Sequence, residues 1–174
     1  DGEFANSAVV VNVRVEDFAV TGDPLSGLDF RSRWEKEAYL AGGGNYGAPA
    51  QRLSEFLGRK SSGVVGRTSF LPGVQAARLE NILPDFVSAA LRAGIRQFDK
   101  KMTGFISDDA HLIGVETRTS SPVRICRNTN GESDTIRGFY PCGEGSGYSG
   151  GIISSALDGI RAAHCLMAAS DGCR

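Results

Sequence analysis

Long apolar runs are missing from this 174-residue chain: the longest are four or five residues, Ala8–Val11 among them, far below the ~20 needed to cross a bilayer. A surplus of one charge is missing too, with 19 Lys+Arg against 20 Asp+Glu and a formal net charge of -1. A general nucleic-acid binder needs a strongly basic face to displace counterions. Nucleic-acid and membrane partners are therefore both excluded as expectations. Cys126, Cys142, Cys165 and Cys173 offer neither a CxxC nor a Cys/His spacing of the kind zinc requires. They are also too sparse for a disulfide scaffold, so we expect free thiols in a reducing, intracellular setting, cytoplasm or plastid, and no metal. Methionine is scarce, Asp1 opens the chain, and the first Met is Met102. With no basic n-region and no apolar h-region, the chain is expected to be processed or a piece of something longer. No internal repeat or low-complexity segment is present.

What remains is globular. Hydrophobic residues make up 41% and charged residues 22%, enough for a packed core in one domain or slightly more. Glycine is the outlier at 23 residues, about twice the usual ~7% share. It clusters at Gly42–Gly44 and again from Gly138 to Gly151. Glycine gathers where the backbone must take a positive φ or approach something closely.

Local signals predict an α/β chain. The β-branched stretch from Val9 to Val15 reads as a strand. A helix starts near Ser26, with Phe30, Trp34, Ala38 and Ala41 on one face, and stops at Gly42–Gly44. Pro49 fits the first turn of a short helix carrying Leu53, Phe56 and Leu57, ended by Gly58. Residues 60–73 read as loop. Pro84 opens a longer helix closed by Lys100 and Lys101. Short strands are expected at Leu112–Glu116, Val123–Cys126 and Ile136–Pro141. The final helix runs to about Ala169 and is apolar nearly all round, which predicts burial against a sheet. The texture changes near residues 105–112, where a subdomain boundary is expected.

The chemistry is concentrated between Cys142 and Ile152. Strand, glycine turn and helix together present backbone N–H groups and a positive dipole end to an anion. Gly145-Ser-Gly147-Tyr-Ser-Gly150 is a literal GxGxxG. A dinucleotide fingerprint also needs a second strand and an acid ~20 positions on. No second strand follows within the 24 residues after Gly150, so we expect the match to be a decoy as a primary ADP-binding motif. Glu144, flanked by Gly143 and Gly145, can accept hydrogen bonds from vicinal hydroxyls, and the amides of Gly150, Gly151 and Ile152 suit phosphate or a flavin carbonyl. Equally, Glu144 can be a solvated turn residue and the glycines can serve only the backbone.

Gly138-Phe-Tyr-Pro-Cys-Gly-Glu-Gly-Ser-Gly-Tyr-Ser-Gly-Gly-Ile152 closely resembles the C-terminal FAD-contacting motif of a family of FAD-dependent dehydrogenases, or FAD-NAD(P)-binding oxidoreductases, of bacteria and plants. Three further stretches resemble the same family in order and spacing: Phe4-Ala-Asn-Ser7, Gly42–Gln51 and Thr117–Arg124. The resemblance implies an FAD domain interrupted by an inserted substrate-side domain. Residues 1–111 would be most of that α+β insert. Residues 112–169 would be the C-terminal strand, Gly-rich turn and helix of the Rossmann-like FAD domain, and 170–174 a tail. It further implies that Gly143, Glu144 and Gly145 approach the ribityl and pyrophosphate region and that Gly150, Gly151 and Ile152 cap the flavin end. The unit binding the ADP half of FAD would lie in a missing N-terminal half, so the chain alone should bind FAD weakly or not at all and be inactive. Electrons would come from NAD(P)H.

Arg118, amid the hydroxyls of Thr117–Ser121, can stabilise an anionic reduced flavin or simply pair with an acid in a polar turn. Tyr148 can stack on the isoalloxazine or pack. Asn45 and Tyr46 can line a substrate pocket or cap a helix. His164 is expected in the core, His111 is a lone loop residue, and Cys142 is expected to pack as a small buried side chain. No catalytic residue is assigned. The competing readings are a truncated, non-catalytic module that binds a protein partner, and, more remotely, a phosphate-ligand binder using the amides of Ser149–Gly151.

Overall fold

The computed structural model describes residues 3–59 and 63–171. The fold is mixed α/β, with a three-stranded sheet and four α-helices among the described residues. The chain divides into two compact units. One holds the residues up to Asp17 together with Phe30–Val115; the other holds Phe18–Asp29 and the described residues from Glu116 on.

In the first unit, α1 (Ser26–Ala41, its first turn counted in the second unit) ends at Gly42–Gly44, where Gly43 and Gly44 take positive φ. The sheet is built on β1 (Ala48–Arg52), flanked by parallel β2 (Val74–Ala76) and antiparallel β3 (His111–Ile113). Ala50 pairs with Ala76 on one side and Ile113 on the other. α2 (Leu53–Phe56) follows directly, and α3 (Asp85–Lys101) starts after Pro84. Ala38, Leu53, Phe56, Leu79, Ile82 and Ile95 form the core. The Arg92 guanidinium lies 4.7 Å over the Phe56 ring and donates to the Phe56 carbonyl, closing the end of α2.

Four expectations need correction. The stretch from Val9 to Arg14 is not a strand, and Val15–Asp17 is a 3-10 turn. β-branched residues favour a pleated, half-buried surface, and this segment has no partner strand among the described residues. Pro49 lies in β1 rather than in a helix, and its carbonyl accepts from Gly114 N. Among the described residues Val123–Cys126 and Ile136–Pro141 form no ladder, and an isolated bridge joins Arg127 to Ser133. Their backbone groups are satisfied by turns instead, as in Ile125 N to Ser146 O and Ser133 N to Phe139 O. Finally, α4 (Ile152–Asp171) leaves its large apolar residues exposed. It turns Asp158 and Ala162 inward and leaves Ile152 88% and Ile153 73% exposed. None of the described helices is long and apolar enough to cross a membrane.

Candidate functional site

The glycine-rich segment is a run of tight turns leading into α4. Gly143 and Gly147 have φ of 74° and 82°, in the left-handed region that costs other residues roughly 1–2 kcal/mol. Gly147 N donates to Glu144 O at 2.9 Å and Tyr148 N to Gly143 O at 3.1 Å, closing the loop around Glu144, Gly145 and Ser146. A Cβ on Gly147 would run into the Val123 carbonyl oxygen. The neighbouring segment lies along this loop. Ile125 N donates to Ser146 O, Arg124 Nε to Gly147 O, and Ser121 Oγ to Gly145 O at 3.4 Å. Two motifs far apart in sequence are thus brought together, 117–124 against 143–147.

One ion pair ties the turn to α4. Arg127 donates through both terminal nitrogens to Asp158, at 2.7 and 3.0 Å, and also to Pro141 O at 2.8 Å. Asp158 accepts from Gly143 N at 2.8 Å as well. The Arg127 hydrogen bonds, then the Gly143 amide, hold the Asp158 carboxyl below its ordinary value, while Asp158 pushes Arg127 up. The Tyr148 ring sits under Arg127, 3.6 Å from centroid to guanidinium carbon, with Arg124 at 5.0 Å. The sequence reading missed this pair. Its only signal was Asp158 itself, an acid in an otherwise apolar stretch of helix, which implies a buried partner.

The other glycines differ. Gly145 and Gly150 do not have positive φ, a Cβ on either would meet nothing within 4 Å, and both are exposed. Neither amide is hydrogen-bonded among the described residues. Gly151 has nearly as much room, a Cβ meeting only Ser154 Oγ at 3.6 Å, and its amide reaches that same oxygen. The half-exposed Glu144 carboxylate has no partner among the described residues. Ile152 opens α4, and Ser149 Oγ bonds Ser155 Oγ at 2.8 Å. Uncommitted amides beside a helix N-terminus suit an anionic phosphate, and a free carboxylate suits hydroxyl donors. A flavin nucleotide presents both.

The remaining candidates lie elsewhere. Arg118 is exposed and its amide donates to Glu116 Oε1; Ser121, Arg124 and Ile125 make the hydrogen bonds that join its segment to the turn. His164 and Cys142 are exposed, correcting the buried placements, because α4 turns His164 outward and the thiol precedes the tight turn. Cys126, Cys142 and Cys165 are free thiols, and Cys173 lies outside the described residues. In the first unit, His111 Nε2 accepts from Gly66 N at 2.9 Å. Asn45 Oδ1 accepts from Gly47 N, and Tyr46 is 91% exposed. A cleft of about 140 Å³ there is lined by Ala50, Gln51, Glu55, Val64, Ala76 and Arg78, smaller than the roughly 300–1,000 Å³ of common ligand pockets.

A protein of Clostridium beijerinckii described as an "Uncharacterized protein" is 46% identical over 169 residues, which make up 96% of this chain and 32% of that relative. The chain thus spans about a third of the relative's length, and the likeness extends into the second unit. The pattern of the family "FAD-dependent protein, C-terminal domain-like" matches residues 1–119. By that match, the chain belongs to the family of FAD-dependent protein C-terminal domains.

Proposed function

We propose that the chain is the flavin-contacting C-terminal part of an FAD-dependent oxidoreductase of the dehydrogenase type. The observation that carries this reading is the pair Gly145 and Gly150. Where Ala could take the same φ, glycine forgoes roughly 0.4–1 kcal/mol of stability, and at these two positions neither φ nor crowding by the described residues accounts for it. A ligand lying directly against the backbone does. In this reading Gly145 and Gly150 offer their amides and Glu144 accepts hydroxyl hydrogen bonds. Gly151 and Ile152 present the positive end of α4, Gly143 holds the turn, and Arg118 lends positive charge near the flavin edge. FAD, when bound, supplies the hydride chemistry, with NAD(P)H as electron donor. Residues 1–111 serve as the substrate-side insert, 112–169 as the return into the FAD domain, and 170–174 as a tail.

The exposed stripe of α4 supports the same reading. Ile153, Leu157, Ile160 and Met167 lie 51–73% exposed at helical spacing on one face. Apolar surface of this kind marks an interaction site. The occupant we assign is the portion of the longer relative outside the matched 169 residues. The same stripe favours the second reading, a non-catalytic module binding a protein partner. Co-expression with the remaining two-thirds of the relative separates them. The flavoprotein reading expects a complex that retains FAD through gel filtration, while the chain alone retains none. A chain that alone keeps stoichiometric FAD contradicts the two-part arrangement, and a pair that associates without flavin favours the partner module.

A further inference from the structure

We infer that Arg127 and Asp158 form a clamp that presets the glycine turn for its ligand, as positioning residues rather than contacts; this rests on the flavin reading above. Both are largely buried, with side chains 17% and 9% exposed, and their hydrogen bonds go to the backbone of the turn. Arg127 holds the Pro141 carbonyl and Asp158 the Gly143 amide, so one guanidinium–carboxylate pair fixes the residues on both sides of Cys142. Tyr148 closes the other end, its ring under Arg127 and its amide on Gly143 O. Asp158 comes from the second turn of α4, so the clamp also sets the helix N-terminus relative to the turn.

The clamp uses the Gly143 amide and leaves those of Gly145 and Gly150 uncommitted. A glycine-rich segment is otherwise the most costly of all backbones to order. A charge-assisted, bidentate pair is the strong and directional way to order it before the ligand arrives, so that the entropy is lost on folding and not on binding. Largely buried, the Asp158 carboxylate takes its third hydrogen bond from protein rather than solvent, and the donor is the amide at the head of the glycine turn.

The test is a titration of the ¹⁵N-labelled 174-residue chain with FAD, following the Gly145 and Gly150 amides, together with hydrogen exchange at Gly143. D158N keeps the shape and loses the charge. Because removing one member of a buried pair can unfold the unit, R127M/D158L is the second variant, replacing both members by apolar side chains of similar volume. With α4 still helical by circular dichroism, both variants are expected to exchange Gly143 faster and to lose FAD affinity by roughly tenfold or more. Faster Gly143 exchange with unchanged FAD affinity overturns the positioning role, since the pair would then be structural only. Unchanged Gly143 exchange overturns the clamp itself. A wild-type turn that does not respond to FAD, either in the chain alone or in its complex with the remaining two-thirds of the relative, overturns the flavin reading and the positioning role with it, whereas wild-type binding that both variants keep overturns the positioning role alone.

Discussion

Gly145→Ala and Gly147→Ala should have opposite effects although they stand two residues apart. At Gly147 a methyl group meets the Val123 carbonyl and the Arg124 backbone, and the residue keeps φ at 82°. The left-handed conformation costs roughly 1–2 kcal/mol and displacing the adjoining backbone another 1–3 kcal/mol. The sum of about 2–5 kcal/mol corresponds to a fall in Tm of roughly 5–15 °C for a chain of this size. At Gly145 a methyl group meets nothing and φ is ordinary. There Ala should stabilise by about 0.4–1 kcal/mol through the entropy of the unfolded chain, and Gly150→Ala should do the same. Urea unfolding followed by circular dichroism gives these numbers. The same two open-site variants should nevertheless lose FAD binding, because the methyl occupies the surface the nucleotide approaches. Gly145→Ala and Gly150→Ala proteins that are more stable and bind FAD as well as wild type would refute the argument that these glycines exist for a ligand.

Three further outcomes follow from the packing and charge. Phe56→Ala empties a fully buried site under Arg92 and should cost about 3–5 kcal/mol, read from the fluorescence of Trp34 in urea; a loss below about 1 kcal/mol would contradict the assigned core. Folding holds the Asp158 carboxyl below its ordinary value through Arg127 and Gly143, with Arg161 adding to the field. The unfolded chain therefore takes up the proton more readily, and the clamp's contribution, whole above about pH 4, is lost as pH falls further. Gly143 exchange should show that acid dependence and D158N should lack it; identical profiles would sink the assignment. L157K/I160K places charge on the exposed face of α4 and should leave stability within about 0.5 kcal/mol while abolishing assembly with the unmatched two-thirds of the relative. Assembly that survives both charges would move the interface elsewhere.

The elements written into local sequence are the ones that read correctly. Gly42–Gly44 end α1, and Pro84 with Lys100 and Lys101 brackets α3, because caps and stops act within a few residues. β1 was illegible because Ala48-Pro-Ala-Gln-Arg carries no β-branched residue. It is a strand only because Val74–Ala76 and His111–Ile113 pair with it. The reverse error between Val9 and Arg14 has the same cause, strand character without a partner. α4 was legible as a helix but not in its burial, since periodicity reports an apolar face and not what covers it. At the site, the glycine turn and Glu144 stood out by composition. The Arg127–Asp158 pair did not, because its members are 31 residues apart and meet only through the fold. The distinction between Gly147, needed by the backbone, and Gly145, not needed by it, likewise required coordinates.

The assignment on which the rest depends is that Glu144, Gly145 and the residues Gly150, Gly151 and Ile152 form a flavin surface. The most direct measurement is the map of amide shifts when FAD is added to the wild-type ¹⁵N-labelled chain. The account predicts weak, fast-exchange binding with the changes confined to those two stretches and their neighbour 121–125, and none in β1, β2 or β3. Shifts centred on the cleft at Gln51 and Arg78, or a turn silent to FAD both in the chain alone and in its complex with the remaining two-thirds of the relative, would contradict it.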